Sequence, residues 1–361
     1  MTNQMLCRNV KFEVDIDIQL LKCTCDENER QMSRYLPHAV LTAGIALLAI
    51  ISLHVGIRFT PGHEVWRALT QGGDDQAALI VNTLRVPRTL IALVVGAALG
   101  LSGLFLQTAT RNPLAEPGLL GINAGAGFAV VLLVVISGAS SLSAIAAAAC
   151  FGALLCALLV FSLAFSAGGI SSPSYLLLAG VTVAALLSSG IQIVIVADER
   201  TMEELIFWLS GGFADRDVQL LYLAAPVVLI VATAGIGLFP MLDALLTDDT
   251  TAEALGVPVL KVRLAVLVLA ALLAGVSVSV AGPVAFIGLA APHLARLSGP
   301  VSHRELIPLS LLAGSALALA ADIAARFVIY PSEAPVGVLL AAVGVPMLLY
   351  LLQRKRLEAG I

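Results

Sequence analysis

Few side chains in this sequence could do chemistry, and their spacing limits what that chemistry would be. His293 and Arg296 are three apart, Asp322 and Arg326 four apart, and both pairs sit near the end of a long apolar stretch. On a helix each pair shares a face. Asp322 and Arg326 would form either a one-turn ion pair that orients a helix end or a functional intramembrane pair. The patterns that support hydrolysis are missing: there is no HExxH, no GxSxG and no paired intramembrane aspartate. A membrane-embedded enzyme would have only His293 and Asp322 to work with. None of the four lysines, Lys11, Lys22, Lys261 and Lys355, completes the G-x-x-x-x-G-K-[ST] loop that cradles nucleotide phosphates. If such a chain moves a solute uphill, the energy must come from another chain.

The elements that position these residues follow from composition. Of 361 residues, 59% are apolar and 12% charged, with a mean hydropathy of +0.98, whereas soluble domains carry about 25% charge. The chain is therefore an integral membrane protein, and its net charge of -4 matters less than where the charges fall. The uncharged stretches run 35–57, 89–110, 117–197, 218–242, 264–295, 306–321 and 334–353. A helix needs roughly 20 apolar residues to cross a bilayer. Five stretches fit one helix each. The stretch 117–197 holds three, divided by turn signals at 137–141 and 168–173, and 264–295 breaks at Ala281-Gly282-Pro283 into one full and one short span. The expectation is an all-α domain of ten transmembrane helices over 36–353. Continuous apolar runs at 129–136 and 264–274 lack the period of two of a barrel strand.

Ten spans put both termini on one side. If that side is the cytoplasm, it collects thirteen Lys and Arg, among them Arg111, Lys261, Arg263, Arg296 and Arg304. The other side receives seven: Arg58, Arg67, Arg85, Arg88, Arg200, Arg216 and Arg326. The excess favours N-in and C-in, although five of the thirteen lie in the N-terminal extension 1–35. That extension lacks the apolar core of a signal peptide and reads as a cytoplasmic tail. Met32 would serve equally as the start, leaving 1–31 untranslated; residues 354–361 form the other cytoplasmic tail. Cys7, Cys23 and Cys25 include a lone C-x-C with no matching second pair, so a bland tail is favoured over a metal site. Cys150 and Cys156 read as small packing residues within a span.

The loop 243–258 carries helix signals. Thr250 and Glu253 have capping-box spacing, Asp248 and Asp249 suit a positive helix N-terminus, and Gly256 followed by Pro258 forms a stop. A short helix at about 248–256 is expected between two spans, at the membrane surface. Gly96, Gly100 and Gly103, like Gly121 and Gly125, have the small-residue spacing of close helix packing. The Gly96 to Gly103 segment has a faint echo in Gly275 to Gly282.

In order along the chain stand Arg85-Val86-Pro87-Arg88, Gly96-Ala97-Ala98-Leu99-Gly100-Leu101-Ser102-Gly103 with Gln107, Arg111-Asn112-Pro113-Leu114-Ala115-Glu116-Pro117 and Leu120-Gly121-Ile122. Leu178-Ala179-Gly180, Trp208-Leu209-Ser210-Gly211-Gly212, Ser279-Val280-Ala281-Gly282-Pro283, Phe286-Ile287-Gly288-Leu289, Pro292-His293-Leu294-Ala295-Arg296 and Glu333-Ala334-Pro335-Val336-Gly337 follow. Through this ordered set, over roughly 36–353, the chain resembles the permease subunits of ABC importers for ferric siderophores, haem and cobalamin.

The resemblance implies a dimer, with itself or a similar permease, and alternating access along the subunit interface in a bacterial inner membrane. Two cytoplasmic ATPases would use the ATP, this chain would bind no cofactor and no metal, and an extracytoplasmic binding protein would deliver the substrate. The helix at 248–256 would be the coupling helix, with Thr250, Thr251, Ala252, Glu253, Leu255 and Gly256 at the ATPase. Arg85, Arg88 and Arg326 would receive acidic residues of the binding protein, to which guanidinium forks are suited; anchoring of helix ends is their alternative role. The span 175–196 and the segment 202–209 would face the central cavity, with Ser188, Ser189 and Gln192 as polar lining. A ferric siderophore or ferric citrate is the favoured cargo, haem or cobalamin the alternative. An ion-coupled secondary carrier is the alternative of another class, opposed by spans nearly clean of ionisable groups.

Overall fold

The structure, a computed structural model, describes residues 36–56, 59–72, 75–138, 141–166, 173–197, 208–299, 302–329, 332–344 and 346. The extension with Cys7, Cys23 and Cys25, the C-terminal tail and most of 202–209 lie outside them. Among the described residues the chain is helical throughout, with no strand.

The first helix, α1, covers Leu36–His54. After Pro61 an amphipathic helix, α2 (Gly62–Gln71), packs Val65 and Ala68 inward and leaves Trp66 exposed. The next helix, α3, runs unbroken over Gln76–Thr110. It passes through a π-helical segment, Ile80–Arg85, immediately before Pro87. Proline has no N–H to give the preceding turn and its ring crowds the carbonyl four residues back; a widened turn removes that conflict without ending the helix. The uncharged stretch at 89–110 thus understates the helix, because Arg85 and Arg88 lie inside it.

Three helices divide the long stretch as its turn signals predict: α4 (Ile122–Ser137), α5 (Leu142–Ser166) and α6 (Pro173–Ala197). Then come α7 (Leu221–Gly237), the short α8 (Phe239–Ala244) and α9 (Asp249–Ala254), and α10 (Val259–Ala281). The break at Gly282-Pro283 separates α10 from an eleven-residue helix, α11 (Ile287–Leu297), which leads to α12 (His303–Val328). A last helix, α13, occupies 336–344. Seven of these segments are long and apolar enough to cross a membrane, and α4, with 16 residues, is a shorter apolar helix.

Helix α3 forms the centre with α10 and α12: their most apolar windows are 78%, 72% and 61% buried, against 6% for α1 and 17% for α6. Glycine makes that closeness possible. A Cβ on Gly103 would lie 1.8 Å from the Gly288 carbonyl oxygen, and one on Gly96 2.4 Å from that of Gly314. The expected packing role of Gly96, Gly100 and Gly103 is therefore seen as backbone contact with α11 and α12. The echo at 275–282 does not repeat that packing role. Gly275 makes only ordinary contacts, while Gly282, at φ +72°, forms the turn that ends α10.

Candidate functional site

Polar chemistry gathers at the two ends of α3. The part of the helix from Val86 to Thr110 has 25 residues, about 37 Å at 1.5 Å per residue.

At the Thr110 end, α9 forms where the loop signals predicted, but Asp248 caps it and Thr250 does not. The Asp248 carboxylate accepts from the Thr251 N–H at 3.0 Å and from the Thr250 hydroxyl. These hydrogen bonds, led by that of Thr250, hold its carboxyl below the usual carboxylate range. An Asp side chain reaches the free N–H groups of a first turn best from just outside the helix. Gly256 ends the helix in left-handed conformation, φ +82°, donating to the Glu253 carbonyl at 2.9 Å.

Asp249, the first residue of α9, ties it to the bundle. Its carboxylate accepts from Arg111 Nη2 at 2.6 Å and from Arg263 Nη2 at 2.9 Å. Arg111 follows the last turn of α3, and Arg263, almost fully buried, belongs to α10. One carboxylate therefore joins α9 to two of the three central helices, α3 and α10, and the Arg263 hydrogen bond, then Arg111, holds it below the ordinary carboxylate range. A second tie precedes it. Asp243 on α8 accepts from Ser302 Oγ at 2.7 Å, the His303 N–H at 2.8 Å and His303 Nδ1 at 2.6 Å; His303 Nε2 meets Thr108 Oγ1 on α3 at 2.7 Å.

Thr250, Thr251, Glu253, Leu255 and Gly256 are exposed on α9 and its end. Ala252 is not: its side chain is fully buried and belongs to the core under α9. The expectation that Ala252 meets a partner is corrected, since a six-residue helix lying on a bundle must turn one face inward.

Deeper at this end, the half-buried Glu116 carboxylate accepts from the Phe286 N–H at the start of α11, where Phe286 has φ +80°. Burial pushes the Glu116 carboxyl above its ordinary pKa. Arg296 donates to Gln107 Oε1 at 2.6 Å. Through it, α11 is fixed near the Thr110 end of α3, whereas Asp322 binds Arg88 at the other end, 19 residues and about 28 Å away. The two groups that an enzyme would need, His293 and Asp322, are not brought together. Among the described residues no three His, Cys, Asp or Glu side chains gather as metal ligands.

At the opposite end, Arg88 Nε donates to Asp322 Oδ1 at 2.7 Å and Arg88 Nη1 to Glu333 Oε2 at 2.5 Å. Arg326 donates to the other Asp322 oxygen and to the carbonyls of Ser52 and Val55 at 2.8 and 2.6 Å. The i, i+4 pair read in the sequence is real, and it is one part of a network across α1, α3, α12 and the segment before α13. Arg85 donates to the Leu53 carbonyl at 2.7 Å. Arg85 and Arg326 are only 6% and 3% exposed, and their hydrogen bonds to α1 carbonyls close helix ends. Arg88 is slightly more open and lines a cavity of about 610 Å³ with Arg216, Glu333 and Asp215.

Ser188, Ser189 and Gln192 are all exposed, on the little-buried helix α6. The sequence reading missed Asp249 as the tie of α9, with Arg111 and Arg263 as its partners. The only signal was an acidic residue in a first turn; 138 and 14 residues separate it from its cations.

A bundle with seven helices long and apolar enough to cross a bilayer, and a polar cluster at each end of α3, is a membrane-spanning protein in class. The match to the family model described as the FecCD transport family spans residues 44–354. The chain belongs to that family. It is 40% identical over 321 residues, 88% of this chain and 96% of the relative, to the ferric enterobactin transport system permease protein FepD of Escherichia coli K12. It is 37% identical to the vitamin B12 import system permease protein BtuC of Klebsiella pneumoniae, covering 91% and 96% of the two chains. Among solved structures, one described as an inward-facing conformation of a metal-chelate type ABC transporter superposes with a TM-score of 0.76 at 28% identity, covering 89% of this chain and 99% of that one.

Proposed function

We propose that this permease carries a ferric siderophore or ferric citrate inward as one half of a dimeric ATP-driven importer, with N- and C-termini in the cytoplasm. The observation that carries the importer mechanism is α9: a capped, mostly exposed short helix joined to the central helices α3 and α10 by Asp249. A helix pushed from outside the membrane moves α3 and α10 only if it is bonded to them. Thr250, Thr251, Glu253, Leu255 and Gly256 are its faces for a separate ATPase. Ala252 supports them from beneath.

The exposed polar side chains of α6 support a translocation path along a subunit interface. Gln192 facing hydrocarbon would leave an amide without partners, which is costly; a second permease and a wet passage remove that cost. We place Ser188, Ser189 and Gln192 in that passage. On this reading the Arg88–Glu333 rim faces the extracytoplasmic binding protein. The 40% identity to a ferric enterobactin permease favours an iron chelate, and 37% to a vitamin B12 permease keeps cobalamin as the second reading.

The deciding experiment is uptake of radioactive iron chelates and of cobalamin into proteoliposomes holding this chain and its ATPase. Glu253→Arg with Leu255→Asp should abolish ATP-dependent uptake while the permease stays folded. Uptake driven by an ion gradient without the ATPase would overturn the importer reading.

A further inference from the structure

The amphipathic helix α2 divides its surface three ways. Successive residues advance about 100° around the axis, so Val65 and Ala68 share one side, Trp66 and Leu69 a second, and His63, Glu64, Arg67, Thr70 and Gln71 the remainder. The first side is buried, packing with Ala78 and Val81 of α3 and with Leu53 of α1. The second is open: Trp66 is 71% and Leu69 48% exposed. The third is polar, and its Arg67 pairs with Asp75 just ahead of α3.

Position decides what meets the open side. The links 55–61 and 72–75 tie α2 to α1 and α3, both long and apolar enough to be spans, and an extended link gains at most about 3.6 Å per residue. The helix therefore stays near the level of the span ends. A helix lying there beside a bundle has protein on one flank, lipid on the next and water above, and the three sides of α2 match those three surroundings. A partner arriving from the water would meet the polar side first. Tryptophan also concentrates at membrane–water interfaces, where its ring lies against apolar groups and its N–H stays wet.

We propose that α2 lies in the membrane–water interface, with Trp66 and Leu69 seated between lipid headgroups and the first part of the acyl chains, and that it holds the start of α3 at that level. The bonds that join the two helices are in place. Asn82 Nδ2, in the π-helical segment of α3, donates to the Ala68 carbonyl at 3.0 Å, and the Arg67–Asp75 pair closes the link between them. The proposal needs the chain to span a membrane and does not depend on the importer reading.

The test is fluorescence quenching of the full chain in liposomes. The chain has two tryptophans, Trp66 and Trp208, so the signal of the wild type less that of Trp66→Phe belongs to Trp66, and no buried residue need be changed. Phosphatidylcholine carrying bromine about 5–10 Å into the headgroup and acyl boundary, the depth of such helices, should reduce this signal about twofold. Iodide in the water should reduce it far less. Leu69→Asp puts a charge on the lipid side and should weaken quenching by the bromolipid while strengthening quenching by iodide. A Trp66 signal quenched by iodide and untouched by bromolipid overturns the proposal, because that side then faces water. A signal reached by neither quencher overturns it as well, because a second copy of the chain then covers the side. So does bromolipid quenching left unchanged by Leu69→Asp in a variant whose helix content, read by circular dichroism, is intact.

Discussion

The two ends of α3 hold charge in opposite ways. At the Arg88 end, Asp322 is fully buried between two guanidiniums, and α1, α3 and α12 meet around it. At the Thr110 end, Asp249 is about one-third exposed and holds a six-residue helix that has little core of its own. A buried network of this kind fixes a geometry, because every displacement strands a charge in an apolar medium. A half-exposed clamp on a small element transmits displacement without fixing it. On the importer reading proposed above, the Asp322 end is the fixed end and the Asp249 end the lever.

The largest effect expected from breaking this contrast is at Asp322. Asp322→Asn should lower stability by about 3–5 kcal/mol, the range for removing one partner of a buried ion pair, read as a fall in melting temperature in detergent. A loss under about 1 kcal/mol would mean that water reaches the network. Between the ends, Gly103→Val should cost about 1–3 kcal/mol through overpacking, since even a Cβ would collide with the Gly288 carbonyl; full stability would show that α11 can retreat from α3. Asp249→Asn should behave differently from both. The permease should lose less stability than at Asp322, about 1–3 kcal/mol for the charged hydrogen bonds given up by Arg111 and the buried Arg263, while chelate transported per ATP hydrolysed falls about tenfold; a proportional fall in ATPase activity and uptake would contradict the lever.

The smallest effect is one of pH. Asp249 and Asp243 have folded pKa values below those of unfolded carboxylates, Asp249 chiefly through the Arg263 hydrogen bond and Asp243 through hydrogen bonds from His303 and Ser302 that outweigh burial. Their contribution is therefore fully present above the unfolded value of about 3.9 and is lost as pH falls through the depressed values. Between pH 7 and 5 the attachment of α8 and α9, followed by hydrogen exchange, should not change. Release within that window would mean that another group controls it.

Much of the architecture was legible in local sequence. The Asp248 to Pro258 signals act within a few residues of the chain, so α9 was found at nearly its true bounds. The turn signals at 137–141 and the Gly282-Pro283 break likewise act on adjacent backbone. Helix limits read from charge gaps failed at α3 and α12. There the charged residues continue the helix and are neutralised by partners far away in sequence, Arg88 by Asp322 and Glu333. Exposure of Ala252 was also misjudged, since which face of a short helix turns inward depends on the bundle beneath it.

Composition, apolar run length, and glycine and proline placement by themselves determined a helical membrane protein, its principal breaks and its short surface helix, because each reflects either transfer into hydrocarbon or the conformation of neighbouring peptides. Only the tertiary structure decided which arginines meet carboxylates and which meet main-chain carbonyls. Arg85, Arg88, Arg216 and Arg326 are one residue type in the sequence; Coulomb attraction and hydrogen bonding depend on distances of a few ångströms between segments up to 245 residues apart, and folding alone sets those.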